Sequence, residues 1–332
     1  MTDNGEAGRP GRGKVLVVGM DGVRFDLLTR SRPPAEGTPA PPPLPPSSPA
    51  PVLRGLMAAG AYGSGLLPYG EMDGQAEGGP STSMAYTDSG PGWSSVLTGV
   101  WPDRHGVTGN DFVGADYAAH PDFLSRAAAA RPGLRTVAVV SWPELIDRGA
   151  LGPGIGERVR YDGESDGYAS ADRLVADAAV RRLTEDDPDL LFVYFGATDE
   201  AGHATGPLSP AYDRALLAQD AHLGRLLHAL TARADEHWTI LITTDHGHLD
   251  TGGHGGDTRA EREVFVVLAE LGTTGDLAPS RTTLLDSPAL IDIAPTVLDR
   301  LGVPVDPVWG LAGRVLPRPV TSCFPLPTSE WS

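Results

Sequence analysis

The apolar positions of this chain follow two periodicities that alternate along it. Lys14 to Met20, Arg135 to Ser141, Asp189 to Gly196, Trp238 to Thr243 and Glu263 to Leu268 are apolar runs of strand length. Continuous runs, rather than period-two alternation, fit strands covered on both faces. Between them, Asp172 to Leu183 sets Leu174, Val175, Ala178 and Ala179 at helical spacing. Pro210 to Ala232 reads as a long amphipathic helix carrying Leu216, Leu217, Leu223, Leu226, Leu227 and Leu230. Val52 to Ala61, Pro91 to Thr98 and Ala289 to Leu301 also read as helices. Pro91 suits a first helical turn, where a missing N–H costs nothing. Strands alternating with helices predict an α/β fold, a doubly wound, mostly parallel sheet with helices on both faces.

The segments between these elements set the domain organisation. Residues 1–13 are expected to be disordered. Residues 31–51 are dominated by Pro with Ala and Ser, which excludes regular helix or sheet and predicts an exposed loop inserted in the domain. Residues 70–85, rich in Gly and Ser, predict another loop. The expected layout is one catalytic α/β domain over 14–312, followed by a tail over 313–332.

Composition narrows the partners. The chain has 332 residues, of which 40% are hydrophobic, enough for a sizeable core. Its net charge of −17 argues against a nucleic-acid polymer or an anionic membrane surface, since both reward clustered Lys and Arg. A small anionic substrate stays compatible, because bound cations reverse the local field. Cys323 is the only cysteine, which excludes a disulfide framework and a Cys-rich metal site. The first residues hold no signal-like apolar run, and no stretch approaches the ~20 apolar residues of a membrane span. A soluble cytoplasmic protein is the expectation.

The candidate chemistry sits where such a sheet places it. Ligands of parallel sheets bind outside the carboxyl ends of the strands, and Asp21, Asp199 and Asp245 each follow a predicted strand. His246 adjoins Asp245, and His254 follows a Gly-rich turn that lets the backbone bend toward the same point. Asp199 and His203 are four apart, which on a helical turn puts them on one face. Three Asp and three His suit a pair of divalent cations, with zinc favoured and Mn or Fe also compatible with the donor set. Ser89 stands at the approach to a helix N-terminus, where free N–H groups and the helix dipole attract anions. A metal contacting its hydroxyl makes the alkoxide accessible near neutral pH. Taken singly, Ser89 reads as an N-cap and the histidines as loop residues. The combination favours a nucleophile beside a metal pair, and so metal-assisted transfer or hydrolysis of a phosphate ester. His248, Asp250 and Asp257 lie in the same loop as partners that would orient ligand imidazoles. His105 reads as structural.

These segments, in order, resemble the alkaline phosphatase superfamily, and within it the type I phosphodiesterase and nucleotide pyrophosphatase branch. The matching pieces are Val17-Val18-Gly19-Met20-Asp21-Gly22, Ser89-Gly90-Pro91 with Leu97 to Val107, Asp199-Glu200-Ala201-Gly202-His203, Asp245-His246-Gly247, His254-Gly255-Gly256 and Asp292 to Leu298. The resemblance implies that Asp199, His203 and His254 hold one zinc, and that Asp21, Asp245 and His246 hold the other with Ser89 beside it. It implies that Ser89 attacks phosphorus in line and forms a covalent phosphoryl-enzyme on a small phosphorylated substrate.

The chain also departs from the pattern. That branch commonly has threonine as nucleophile, and an asparagine three residues on that binds a phosphate oxygen; Ser89 and Gly92 stand there instead. The sulfatase branch requires an arginine where Trp93 stands, which argues against sulfatase activity. Room for a second ester group, lined by Trp93, Trp101, Phe112, Tyr117 or Trp142, would favour a diester or pyrophosphate. A free cation such as Arg24 or Arg104 would favour a monoesterase, and phosphoryl transfer to another alcohol rather than to water is chemically open as well. A non-catalytic protein that binds a ligand or partner is the alternative of another class, marked by loss of a metal ligand or nucleophile, and none is lost.

Overall fold

A computed structural model describes residues 13–29, 50–69, 84–233, 235–272, 277 and 282–319. The expectations for residues 1–12, most of 31–51, most of 70–85 and the end of the tail with Cys323 fall outside them.

Among the described residues, eight strands form one sheet: β1 Gly13–Met20, β2 Ala61–Leu66, β3 Thr136–Val140, β4 Glu157–Arg160, β5 Leu190–Phe195, β6 His237–Thr243, β7 Glu263–Leu271 and β8 Thr283–Leu284, in the order β4-β3-β5-β1-β6-β7-β2-β8. β1 lies between β5 and β6 and runs parallel to both. β3 is parallel to β5 and β4, whereas β7 is antiparallel to β6 and β2. The sheet is therefore mostly parallel and wound on both faces, as its sequence pattern predicts.

Alternate residues of each buried strand feed two cores. Val15 and Val17 of β1 pack with Trp93, Val96, Leu97, Phe123 and Val297 on one face. Leu16, Val18 and Met20 pack with Leu53, Val175, Leu216, Leu223 and Leu230 on the other. Each fully buried aliphatic side chain is worth ~1.5–3 kcal/mol over its exposed state. Leu217 does not share in this: it is 49% exposed, so the buried stripe of the Pro210–Thr231 helix is narrower than its leucine count suggests.

Three strands escaped the sequence reading, each for a physical reason. β2 contains Gly63 and Gly65, where a Cβ would meet the carbonyl oxygens of Leu285 and Pro288 at 2.4 Å. Close backbone approach, rather than an apolar run, defines that strand, and the predicted helix 52–61 stops at Ala59 to make room for it. β4 is a charged edge strand, Glu-Arg-Val-Arg, that a hydrophobicity pattern passes over. β8 spans only two residues. Among the described residues no helix is long and apolar enough to cross a membrane.

Because β5, β1 and β6 are neighbours with the same direction, the residues after their carboxyl ends converge. Asp21 follows Met20 directly, Asp199 lies in the helix Ala197–Thr205 that begins after β5, and Asp245 lies two residues beyond β6.

Candidate metal centre and nucleophile

The sheet edge brings together all seven residues singled out in the sequence. Asp21, Asp245 and His246 have ligand atoms within 4.8 Å of one another, and so do Asp199, His203 and His254. Ser89 Oγ lies 3.2 Å from His246 Nε2.

Ser89 is the first residue of the helix Ser89–Thr98 rather than the residue before it, and Asp88 holds the N-cap position. Every residue of this helix is buried. Its close seating on the β6 end requires Gly92, where a Cβ would come 2.8 Å from Asp245 Cβ. An asparagine therefore cannot fit at position 92. The amide beside Ser89 comes instead from Asn110, whose Oδ1 accepts the Gly90 N–H at 2.6 Å. Sequence reading missed Asn110 because it lies far along the chain from Ser89, on a loop closed by the Asp116 N–H to His105 carbonyl bond of 2.9 Å. Phe112 in that loop sits at φ 57°, a conformation rare for an aromatic residue and one that marks the loop as tightly held.

The first cluster is short of hydrogen. His246 Nδ1 lies 3.0 Å from the Gly247 carbonyl, which can only accept, so Nδ1 carries the proton and Nε2 presents a lone pair. That lone pair faces Asp245 Oδ2 at 3.3 Å and Asp21 Oδ1 at 3.5 Å. Both carboxylate oxygens are buried and lack a hydrogen-bond partner. Three acceptors thus converge, with the Ser89 hydroxyl beside them, in a place where water is excluded. Burial, then the charge of Asp199, pushes Asp21 up to about 7. Burial and the charges of Asp21 and Asp199 push Asp245 well above its ordinary value. Burial and the neighbouring His254 hold His246 neutral, well below the usual imidazole range. A divalent cation satisfies all of these atoms at once, so the donor set fits one.

The second cluster has the same character. His254 Nδ1 lies 2.6 Å from the Thr87 carbonyl, leaving Nε2 to face His203 Nε2 at 2.9 Å. The two nitrogens meet beside Asp199, whose Oδ2 is 3.3 Å from His203 Nε2 and whose Oδ1 is 3.7 Å from His254 Nε2. The four-residue spacing of Asp199 and His203 does place them on one face of a helix, as predicted. Burial pushes Asp199 up, yet the neighbouring imidazoles of His203 and His248 outweigh it and hold the carboxyl below its usual range. His254 is set in place by Gly252, Gly253 and Gly255, all at positive φ.

Other expectations are corrected by the packing. His248 turns toward a carboxylate, not a ligand imidazole: its Nε2 stands 2.8 Å from Asp199 Oδ1, off the hydrogen-bonding line, and both of its ring nitrogens are buried without a partner. Asp250 instead pairs with Arg24, and Asp257 is exposed. His105 is structural as expected, buried with Nε2 on Ser95 Oγ at 3.1 Å and Nδ1 accepting from Val107 N. Trp93, Phe112 and Trp142 are core residues, each 5% exposed or less, and do not line an open pocket. Trp101 and Tyr117 are half-buried against the same core. Arg24 is not a free cation either. Its Nε and Nη2 go to Asp26, and its Nη1 to the His248 carbonyl and Asp250 Oδ1. Arg104 turns away to the Gly310 carbonyl at 2.5 Å.

An α/β sheet with paired Asp/His clusters and a serine at its carboxyl edge is the alkaline-phosphatase-like arrangement. The murine ectonucleotide pyrophosphatase/phosphodiesterase 5 shares this fold, with a TM-score of 0.58 over 89% of this chain and 96% of that one at 14% identity. The phosphonate monoester hydrolase of Agrobacterium radiobacter shares it with a TM-score of 0.57 at 17% identity, covering 89% of this chain and 74% of that one. Residues 77–261 match the family model for type I phosphodiesterase / nucleotide pyrophosphatase, and the chain belongs to that family. In sequence, the chain is 38% identical over 133 residues to the 2,3-bisphosphoglycerate-independent phosphoglycerate mutase of Halobacterium salinarum, a stretch covering 39% of this chain and 24% of that protein. The matched stretch thus spans about a quarter of such a relative's length.

Proposed function

We propose that this protein is a metal-dependent hydrolase that cleaves a phosphodiester or pyrophosphate bond of a small molecule through a covalent phosphoserine. The observation that carries the reading is a pair of Asp/His clusters, each with a buried carboxylate oxygen that lacks a hydrogen-bond partner, beside a buried serine at a helix N-terminus that lies 3.2 Å from His246 of the first cluster. Asp199, His203 and His254 would hold one divalent cation, and Asp21, Asp245, His246 and Ser89 the other, with zinc the metal best suited to the donors. When bound, such cations neutralise the charge on phosphoryl oxygens and lower the pKa of coordinated hydroxyl groups.

The chain's own residues supply the rest. Ser89 Oγ forms the bond to phosphorus while the bond from phosphorus to the leaving oxygen breaks, and water later cleaves the phosphoserine and restores the hydroxyl. The helix N-terminus stabilises the transferring group through its dipole. Asn110, oriented by the Gly90 N–H on its Oδ1, keeps its amide hydrogens to donate to a phosphoryl oxygen. Asn110→Ala is therefore expected to lower kcat by ~10²–10³-fold with metal content unchanged. Steady-state kinetics and metal analysis of the variant check this, and unaltered kcat would remove Asn110 from the reaction.

Among the described residues, the pairing of Arg24 and Lys14 favours diesters. A phosphomonoester carries one more charge, which calls for a free guanidinium or ammonium. Arg24 is saturated by Asp26, Asp250 and the His248 carbonyl. The chain's one lysine, Lys14, pairs with Asp187 and Glu236 at the start of β1. A missing charged hydrogen bond is worth ~1.5–3 kcal/mol, so kcat/KM for an aryl phosphodiester is expected to exceed that for the matching monoester by ~10–100-fold. Paired chromogenic substrates, with and without a chelator, test the whole reading. Chelator-sensitive diester cleavage with close to two metals per chain supports it. A monoester preference sinks the substrate assignment, and no metal with no turnover after added zinc sinks the reading itself.

A further inference from the structure

The Asp21 carboxylate is divided between two tasks. Its Oδ2 accepts from Trp93 Nε1 at 2.8 Å and from the Tyr194 hydroxyl, whereas Oδ1 has no partner and faces His246. We propose that Trp93 and Tyr194 are positioning residues that hold Asp21 Oδ1 toward the Asp21–Asp245–His246 cation site, and so set the affinity of that site and not of the Asp199–His203–His254 site. The proposal rests on the two-cation reading above.

The geometry supports a fixed, not a passing, contact. Both donors are buried, Trp93 fully and Tyr194 to 2% exposure, so neither finds water as a substitute partner. They come from different elements. Tyr194 is on β5, beside β1, and Trp93 is four residues after Ser89, one turn along the nucleophile's own helix. The indole N–H thus ties the helix that presents Ser89 to the strand end that presents Asp21. The indole itself cannot swing away. Its ring meets Tyr194 edge-on at 5.1 Å and Phe192 at 6.3 Å, and it lies over Gly19, where a Cβ would come 2.4 Å from its Cη2. Turning the carboxylate over would break two buried hydrogen bonds together. The partners that orient metal ligands typically change metal affinity ~10–100-fold when removed.

Tyr194→Phe deletes one oxygen and keeps the ring, and Trp93→Phe deletes the N–H along with some volume. Each full-length variant and the wild type would be stripped with chelator, checked by thermal melting, and titrated with zinc by calorimetry. The wild type is expected to take two zinc ions per chain. Tyr194→Phe is expected to weaken one site ~10–100-fold and leave the other unchanged, with an apo melting temperature close to that of wild type. Trp93→Phe is expected to weaken the same site, and if it does not fold, Tyr194→Phe carries the test alone. Wild-type affinities at both sites in Tyr194→Phe, or an equal loss at both, overturn the proposal. A wild-type chain that binds no zinc is a separate result: it removes the two-cation reading, and the proposal falls with it.

Discussion

Ser89→Ala is expected to lower turnover by on the order of 10⁴-fold or more, the scale seen when a covalent nucleophile is removed, while metal content stays at the wild-type level. Ser89 Oγ is 6% exposed and lies 3.2 Å from His246 Nε2 of the first cluster. Thr87, Ser94 and Ser95 are committed elsewhere. Thr87 Oγ1 donates to the Gly256 carbonyl, Ser94 to the Gly90 carbonyl, and Ser95 to the Pro91 carbonyl. None of them can replace Ser89 without breaking a buried bond. Alanine is a strong helix former, so the Ser89–Thr98 helix persists and Asp21, Asp245 and His246 keep their places. Acid-quenched wild-type protein turning over a diester should carry a phosphoryl group on Ser89 by mass spectrometry, and the variant should carry none. Near-wild-type turnover in Ser89→Ala would end the nucleophile assignment.

Asp245→Asn is expected to have opposite effects on the apo and metal-loaded protein. Asp245 and Asp21 are both buried, and their oxygens lie within 4.8 Å of His246 Nε2 and of each other, with no Lys or Arg paired to either among the described residues. Their folded-state pKa values are raised above the ordinary 3.8, to about 7 for Asp21 and upward for Asp245, with burial the leading cause in each. A raised carboxyl contributes stability that is present in full below the unfolded value and is lost as pH rises through the folded one. Without metal, then, the pair should make the protein less stable at pH 8 than at pH 5. Removing one of the two charges should stabilise the chelated protein at pH 8 by on the order of 1–3 kcal/mol. The same change removes a proposed metal ligand, so the gain in melting temperature on adding zinc should shrink sharply, one metal should be lost, and turnover should fall with it. Melting with chelator and with zinc, beside elemental analysis, separates the two arms. An Asp245→Asn protein that is destabilised in chelator, or that still binds two metals, would sink the cation site at Asp21, Asp245 and His246.

The opposite signs have one origin. Folding gathers acidic and imidazole groups that repel or leave one another unsatisfied, and a cation offsets that cost. Asp21 and Asp245 show it in the first cluster, and Asp199, whose Oδ1 is buried without a hydrogen-bond partner, shows it in the second.

Local pattern alone determined a good deal. Unbroken apolar runs marked β1, β3, β5, β6 and β7 because a strand buried on both faces has no polar alternation, and helical spacing marked the long helices. From these, the α/β class and the placing of Asp21, Asp199 and Asp245 at strand ends followed. The four-residue spacing of Asp199 and His203 is a property of the helix and needs no long-range information. Tertiary structure decided the rest, where the deciding contact lies far away in the chain. The neighbour order β5-β1-β6 is what turns three separate strand ends into one site. Glycines that admit a neighbouring backbone hid β2, and the close seating of Gly92 on Asp245 leaves Asn110, from another loop, as the amide beside Ser89. Trp93 reads from sequence as a pocket aromatic, but packing buries it and hands its N–H to Asp21. Arg24 reads as a free cation, but Asp26 and Asp250 use up its donors. Periodicity reports how much of a residue is buried, whereas its hydrogen-bond partners are fixed only when distant segments meet.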